Sequence, residues 1–245
     1  MSRIIIFDLD NTFYDYQKSH ESGIKKVFES QKYFKGYDTF SSEYELTKNK
    51  IHEQLNNNPS KHSKLIYFKK LFQQKASFDE ILRYENLYWE EFIKSSKINK
   101  ETINILRDQK SEKDFYALFT NQNTNIQLKK LSKWNLDFFD LVITSEEVGY
   151  EKPHKYFYES VVKIISENLN NKSIYAIGDD YLNDIKYWQN EFNATSYLID
   201  NSLDDKTIID SKIVTIDGNV YELEKEIVKT SFDIAIRDIF KSKVK

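Results

Sequence analysis

Two acidic residues follow an apolar run near the start of the chain. The run Ile4 to Phe7 has the composition of a buried strand, and Asp8 and Asp10 come directly after it, two positions apart. If both carboxylates faced the same way, their repulsion would be about 4 kcal/mol at ~4 Å in a partly screened site. A bound cation would offset this repulsion, so the pair is a candidate for metal-assisted chemistry.

Further polar residues follow the later strand-like runs. They are Thr120 and Asn121, Lys152 before Pro153, Asp179 and Asp180 after Gly178, and Asp184. In a doubly wound sheet the carboxyl ends of the strands converge on one edge, so we expect these side chains to meet Asp8 and Asp10 there. A cluster of carboxylates without histidine or cysteine favours Mg²⁺, which commonly binds carboxylates and phosphate oxygens together. Because Pro153 suits the first position of a helix, Lys152 would lie near a helix N-terminus and offer a second positive charge to an anion.

The elements that would position these residues alternate along the chain. Short runs rich in β-branched and aromatic residues predict strands at Arg3–Asp8, Phe115–Thr120, Leu141–Thr144, Ser173–Gly178 and Ser196–Ile199. Amphipathic helical patterns separate the later runs. This alternation predicts an α/β fold with a doubly wound parallel sheet.

The stretch between the first two predicted strands breaks the alternation. Residues 16–97 contain helical stripes and no convincing strand pattern. The stripes are Ile24, Val27 and Phe28; Tyr44, Ile51 and Leu55; Leu65, Phe68 and Phe72; and Phe78, Ile81, Leu82, Tyr88, Trp89 and Phe92. We predict that residues 16–97 form a helical insert with its own small core, and that residues 1–15 and 98–245 form the α/β domain.

The last part of the chain carries no candidate for chemistry. The segment Tyr221 to Ile239 is predicted to cover the domain as a helix, and the final lysines to form a solvated tail.

Four histidines share no spacing, and we interpret them as surface or structural residues: His20, His52, His62 and His154.

The composition excludes several classes of protein. The chain has 245 residues with a net charge of −3, five glycines and no cysteine. The near-balanced charge offers no basic face to a nucleic-acid polymer, and no apolar run approaches the roughly 18 residues of a membrane span. No stretch matches a glycine-rich phosphate loop, so phosphate would be held by side chains, ordinary backbone amides or a metal. We expect a cytoplasmic protein, monomeric or homodimeric, with a small-molecule substrate.

Four segments in order carry a family resemblance. FDLDNT, LFTN, EKP and GDDYLND, at the ends of successive predicted strands, resemble the four motifs of the haloacid dehalogenase-like (HAD) hydrolase superfamily. The resemblance spans Ile4 to about Ile199, and the insert is similar to that superfamily's C1-type cap. The stretch TNQNTNIQLKKLSKWNLDFFDLVITSEEVGYEKP is further similar to pyrimidine-nucleotide 5′-phosphatases and N-acylneuraminate 9-phosphatase.

The resemblance implies a phosphatase mechanism at the first motif. Asp8 would be the nucleophile that forms an aspartyl-phosphate. Asp10 would protonate the leaving alkoxide, then take a proton from the attacking water, and its backbone carbonyl would ligate Mg²⁺. Thr12 would position Asp10.

The other three motifs would supply phosphate and metal contacts. The resemblance implies that Thr120 and Asn121 bind the phosphoryl group, and that Lys152 neutralises both the nucleophile and the phosphate. Asp179 would complete the metal site, with Asp184 as a further ligand or as the group that orients Lys152. Asp180 stands where relatives often have serine or threonine, and Gln122 stands where a glycine is common.

Several alternatives remain open at this point. Each motif taken singly could be a strand end, a turn or a helix cap, and only their joint order favours chemistry. The implied activity is a Mg²⁺-dependent phosphomonoesterase, with a nucleoside 5′-monophosphate as the expected substrate and a sugar phosphate as the alternative. A phosphomutase, or a non-catalytic protein that binds a phosphorylated metabolite, are the other possibilities. Dehalogenation is disfavoured because it needs neither the metal nor the acid Asp10.

Overall fold

A seven-stranded sheet lies at the centre of the protein. The computed structural model describes residues 2–169, 172–203, 207–216 and 218–241. The strands are β1 (Arg3–Phe7), β2 (Phe115–Thr120), β3 (Leu141–Thr144), β4 (Ser173–Gly178), β5 (Thr195–Ile199), β6 (Ile208–Ile216) and β7 (Asn219–Thr230). Their order is β3-β2-β1-β4-β5-β7-β6, and every neighbouring pair is parallel except β6 with β7. The predicted α/β fold with its mostly parallel sheet is confirmed.

Helices connect the strands and cover the sheet. They are α1 (Tyr16–Ser30), α2 (Tyr37–Leu55), α3 (Lys64–Leu71), α4 (Phe78–Ser95), α5 (Lys100–Gln109), α6 (Thr124–Lys133), α7 (Ser145–Val148), α8 (Lys155–Leu169), α9 (Lys186–Phe192) and α10 (Phe232–Lys241). A 3₁₀ turn spans Pro59–His62, and a π-helical turn spans Tyr181–Ile185. We call α1 to α4, which lie between β1 and β2, the helical insert.

The first strand shows how the sheet divides the interior into two cores. Successive side chains of a strand point to opposite faces, so Ile5 and Phe7 enter one core while Ile4 and Ile6 enter the other. All of these side chains are at most 3% exposed. An uninterrupted apolar run is therefore what a strand covered on both faces requires.

The apolar residues of the insert do not form a core of their own. They belong to the same cluster as Phe7, and Tyr14 makes the connection, with its ring 5.9 Å from Phe92 and 4.9 Å from Trp134. The prediction of a separate small core was wrong. The same packing fixes the insert above one end of the sheet.

Two of the predicted helical stripes were assigned to the wrong face at some positions. Phe78 is 81% exposed, and Leu82 and Leu65 are exposed as well. In α3 the buried stripe is Lys64, Tyr67, Phe68 and Leu71, so a lysine occupies the position next to the expected leucine.

The predicted helix from Tyr221 to Ile239 was wrong in its first half. Residues up to Thr230 belong to β7, which pairs with β6 as an antiparallel hairpin, and only Phe232–Lys241 is helical. Ile227 is buried against one face of the sheet and Val228 is partly buried against the other, as in a strand. So short an apolar run cannot be distinguished from a buried helix by periodicity alone. Lys243 and Lys245, expected in a solvated tail, lie outside the described residues. Within the described ranges, no helix combines the length and the apolar character needed to cross a membrane.

Candidate active site

Apart from Thr12, the candidate site residues predicted from the sequence line one pocket at the carboxyl ends of β1, β2 and β4. The pocket has a volume of about 180 Å³. Its lining residues are Asp8, Asp10, Thr120, Asn121, Lys152, Asp179, Asp180, Asn183 and Asp184. We call it the carboxylate pocket.

Three carboxylates of this pocket form a tight cluster. Ligand atoms of Asp8, Asp179 and Asp184 all lie within 4.8 Å of one another. Burial, followed by the charge of Asp8, raises the pKa of Asp179 to about 7. Burial is also the first cause that raises the pKa values of Asp8 and Asp184 above their ordinary range. Buried oxygen ligands that repel one another are the donor set of a hard divalent cation, so the cluster fits Mg²⁺.

Lys152 is held between two of these carboxylates. Its Nζ donates to Asp8 Oδ1 at 2.8 Å, to Asp184 Oδ1 at 2.6 Å and to the Phe119 carbonyl at 2.7 Å, which uses all three of its hydrogens. Although burial disfavours its charge, Asp184 and Asp8 hold the pKa of Lys152 above its usual value. The ammonium therefore stays charged where an anionic group would arrive.

Asn121 fixes the backbone of this lysine. The Asn121 amide donates to the Lys152 carbonyl at 2.9 Å, and its Oδ1 accepts from the Lys152 N–H at 2.8 Å. Helix α8 begins at Lys155, so Pro153 is not its first residue as expected, and Lys152 lies three residues before the helix. The loop that carries Lys152 is held by its two hydrogen bonds to Asn121, and it directs the lysine side chain into the pocket.

The loop after β4 brings Asp184 against the backbone of the strand. A Cβ added at Gly178 would overlap the Asp184 side chain, so this glycine is needed for the close approach. Asp180 is an exposed residue of the pocket lining, and its Oδ1 accepts from the N–H groups of Leu182 at 2.8 Å and Asn183 at 3.0 Å. Asp180 thus caps the π-helical turn, which is the simpler of the two roles considered from sequence.

Asp10 points away from the cluster and has partners that the sequence did not predict. Its Oδ1 accepts from Lys130 Nζ at 2.5 Å and from the Tyr14 hydroxyl, and its Oδ2 accepts from Gln127 at 3.0 Å. Burial works in the opposite direction, but Lys130 and these hydrogen bonds hold the pKa of Asp10 below its ordinary value. The Thr12 hydroxyl donates to Asp8 Oδ2 at 3.1 Å, so Thr12 positions Asp8 and not Asp10.

Gln127 also connects Asp10 to the end of β2. Its amide donates to Thr120 Oγ1 at 2.6 Å, and both side chains are buried. The hydroxyl of Thr120 keeps its own hydrogen to donate. Gln127, Lys130 and Leu131 are buried on one face of α6 at helical spacing. This spacing is the signal in the sequence that could have identified Gln127 and Lys130 as residues of the site.

A second cavity, of about 300 Å³, lies between the insert and the sheet. It shares Asp10 and Asn121 with the carboxylate pocket. Its other lining residues are Tyr16, Gln17, His20, Lys48, His52, His62, Lys64, Tyr67 and Gln122. We call it the insert cavity. Three histidines interpreted as scattered surface or structural residues therefore come together beside the candidate site.

Two of these histidines are neutral at physiological pH. Burial lowers the pKa of His20 to about 3 and that of His52 to about 4. The hydroxyl of Tyr67 donates to the Lys61 carbonyl, so His52 Nε2, 2.7 Å from that hydroxyl, must carry the hydrogen. His52 therefore supplies shape and hydrogen bonding to the cavity wall, and no charge.

Comparisons with known proteins show which proteins the chain resembles. The chain is 30% identical over 164 residues to the ribulose-1,5-bisphosphate 5-phosphatase of Halopiger xanaduensis, covering 62% of this chain and 67% of that protein. Its fold is similar to that of magnesium-bound YfnB from Bacillus subtilis, with a TM-score of 0.57, 20% identity, and 81% and 88% of the two chains covered. A HAD phosphatase from Thermococcus onnurineus gives a TM-score of 0.57 at 16% identity over 99% and 98% of the chains.

The family comparison extends over most of the sequence. The family described as haloacid dehalogenase-like hydrolase matches residues 3–187, a range that includes every residue of the carboxylate pocket. The chain is an enzyme that belongs to the haloacid dehalogenase-like hydrolases.

Proposed function

We propose that the protein is a Mg²⁺-dependent phosphomonoesterase that works through an aspartyl-phosphate on Asp8. The observation that carries the proposal is the placement of Asp8 between Lys152 and the carboxylates Asp179 and Asp184. A nucleophile in this position has a fixed cation on one side and a cation-binding cluster on the other. Both are needed because an ionised carboxylate otherwise repels an anionic substrate.

The proposed reaction has two steps. In the first, an Asp8 oxygen bonds to phosphorus while the bond from phosphorus to the leaving oxygen breaks. Asp10, whose pKa is below its ordinary value in the unliganded protein, would take up a proton from solvent when the anionic substrate binds and give it to that oxygen. In the second, Asp10 takes a proton from water, and the resulting oxygen attacks phosphorus and releases phosphate from Asp8. Thr120 would donate to a phosphoryl oxygen, and the backbone at Asn121 would face the same group.

Asp8, Asp179 and Asp184 would hold the metal, with the Asp10 carbonyl as a further ligand. Bound Mg²⁺ would neutralise charge on the carboxylates and the phosphoryl oxygens. Lys152 would keep Asp8 ionised and oriented in either case. Lys130 would hold Asp10 in place, since the two side chains form a partly buried ion pair.

We propose that residues 16–97 act as a cap over a catalytic core formed by residues 1–15 and 98–245. The insert cavity adjoins the carboxylate pocket, so the leaving group of a substrate bound at Asp8 would extend toward α1, α2 and α3. A small phosphorylated metabolite is the substrate class that such a cavity accommodates. The similarity to a ribulose-1,5-bisphosphate 5-phosphatase favours a sugar phosphate over the nucleoside 5′-monophosphate expected from the motif stretch.

Turnover of p-nitrophenyl phosphate tests the proposed activity. We expect hydrolysis that requires Mg²⁺, stops on addition of EDTA, and is lost in Asp8→Asn. Asp137→Asn is the matched control, because this carboxylate is 86% exposed and lies outside both cavities. Activity that survives Asp8→Asn or EDTA would overturn the proposal, and a protein that binds phosphorylated metabolites without turnover would favour the non-catalytic alternative.

A further inference from the structure

Among the described residues, Lys64 is a buried cation with neither a carboxylate nor a hydrogen-bond partner. Its side chain lines the insert cavity, and the residue is only 5% exposed. Among the described residues, no carboxylate lies within 4.0 Å of its Nζ, and no hydrogen bond to it is formed. The ring faces of Tyr67 and Tyr88 flank the ammonium at 4.7 and 5.5 Å. A buried charge is ordinarily paired, so the open side of this ammonium calls for an anion from outside the chain.

The other charged residues around the insert cavity do not oppose an anion there. Lys48 is the second cation in the lining, and its Nζ is 2.8 Å from the half-exposed Glu45. Among the described residues, Asp10 is the one carboxylate that lines the cavity, and it is already paired with Lys130. His20 and His52 are neutral, as shown above, and His62 Nε2 lies 2.7 Å from Glu151 Oε1. Among the described lining residues, Lys64 is therefore the lysine that no carboxylate within 4.0 Å offsets.

The surroundings of Lys64 disfavour its charged form in the absence of a ligand. Burial, followed by the neighbouring charges of Lys48 and Lys130, lowers the pKa of Lys64 to about 7. An anion in the cavity would restore the ordinary preference for the charged form. The same group in a solvated position would show neither effect.

We propose that the insert cavity is a subsite for a second phosphate, with Lys64 as its main ligand and Lys48 as its support. The substrate class is then a small metabolite with two phosphates: one bound at Asp8 for transfer, the other held by the insert. The inference rests on the proposed phosphatase function and adds to it the chemistry of the leaving group. A nucleoside 5′-monophosphate does not fit, because its neutral nucleoside would leave Lys64 unpaired.

Paired substrates test the subsite. We expect kcat/KM for ribulose 1,5-bisphosphate to exceed that for ribulose 5-phosphate by at least about 10-fold, since removing one member of a buried charge pair costs at least that much. Lys64→Met should bring this ratio close to one, and Lys48→Met should lower it by less. Lys69→Met is the matched control on α3, because Lys69 is exposed and should leave the ratio unchanged.

Binding separates the subsite from the chemistry. In the Asp8→Asn background, calorimetry should show tighter binding of ribulose 1,5-bisphosphate than of ribulose 5-phosphate, and Lys64→Met should abolish the difference. If this discrimination is present but wild type hydrolyses neither compound, the subsite stands and the proposed function fails. If p-nitrophenyl phosphate is hydrolysed but the two ribulose phosphates are treated alike in wild type, the proposed function stands and the subsite is overturned.

Discussion

At the scale of single residues, the site depends on charges placed where the fold alone would not favour them. Asp8, Asp179 and Asp184 share a small volume, and Lys64 is buried with no counter-ion. Each arrangement weakens the unliganded protein and is relieved by a ligand of opposite charge. Substituting a residue that serves binding in this way should therefore stabilise the unliganded protein.

Lys64→Met should raise the stability of the unliganded protein. Replacing a buried charge by an apolar side chain of similar shape is expected to gain about 1–4 kcal/mol in the free energy of unfolding. The folded-state pKa of about 7 lies below the ordinary lysine value, so the unfolded state binds more protons between the two, and wild-type stability rises with pH in that window. The gain from Lys64→Met should be largest below pH ~7 and vanish above the unfolded lysine pKa of about 10.4. Urea unfolding at several pH values measures this, and a loss of stability at neutral pH would contradict it.

Gly178→Ala should weaken the metal site without removing any ligand. The added methyl overlaps Asp184, which must move away from Lys152 and from the carboxylate cluster. Loss of the interactions that orient a metal ligand typically lowers metal affinity about 10–100-fold. The Mg²⁺ concentration at half-saturation should therefore rise by that factor. Gly36→Ala is the control, because a Cβ there meets only Thr39 Oγ1 at 3.8 Å. An unchanged Mg²⁺ titration of Gly178→Ala would show that Asp184 does not act at the metal.

At the scale of elements, β1 is fixed at both ends by charged residues. At its start, Arg3 donates to Asp114 from Nε at 3.0 Å and from Nη2 at 2.7 Å, and both side chains are buried. At its end, Asp8 is paired with Lys152. The strand that carries the nucleophile is thereby locked in register against β2, whose first residue follows Asp114.

Asp114→Asn should destabilise the fold by about 2–4 kcal/mol, because it leaves the Arg3 guanidinium buried without its counter-charge. Although burial opposes it, hydrogen bonding from Arg3 holds the pKa of Asp114 well below its ordinary value. This carboxylate therefore adds stability at pH above its unfolded-state pKa of about 3.9. The contribution is lost as pH falls through its lower folded-state pKa. Thermal unfolding of the variant measures the effect; Asp137→Asn, which breaks an exposed contact with Arg107, should change little. Equal stability of the two variants would show that the Arg3 pair does not hold β1.

At the scale of the whole molecule, the sequence predicted what local pattern determines. The positions of Asp8, Thr120 and Asp179 could be predicted because Thr120 ends an apolar strand and the two aspartates follow one directly, all at the same edge of a parallel sheet. Lys152 lies further on, in the loop after α7, and only the EKP motif indicated it. Lys64 could not be placed in the same way, because its surroundings include Tyr88 and Asp10, which are distant in sequence. The available signal was the position of Lys64 on the buried face of α3. The predicted stripe began at Leu65 and therefore left Lys64 on the exposed side.

The β6–β7 hairpin shows the same limit for an element. Its strands alternate buried and exposed residues only weakly, and Ile213 and Val220 are exposed while Val214 and Ile227 are buried. Whether such a run becomes strand or helix depends on pairing with β5, a contact between distant segments that periodicity does not contain.

The central claim is that Asp8 becomes phosphorylated, and chemical trapping tests it most directly. Wild-type protein is quenched during turnover of p-nitrophenyl phosphate with Mg²⁺ and reduced with borohydride, which converts an aspartyl-phosphate to homoserine, and the peptides are sequenced by mass spectrometry. The account predicts homoserine at position 8, dependent on substrate and Mg²⁺, and unmodified aspartate at Asp10, Asp179 and Asp184. Turnover with Asp8 unmodified, or with the label on another residue, would contradict it.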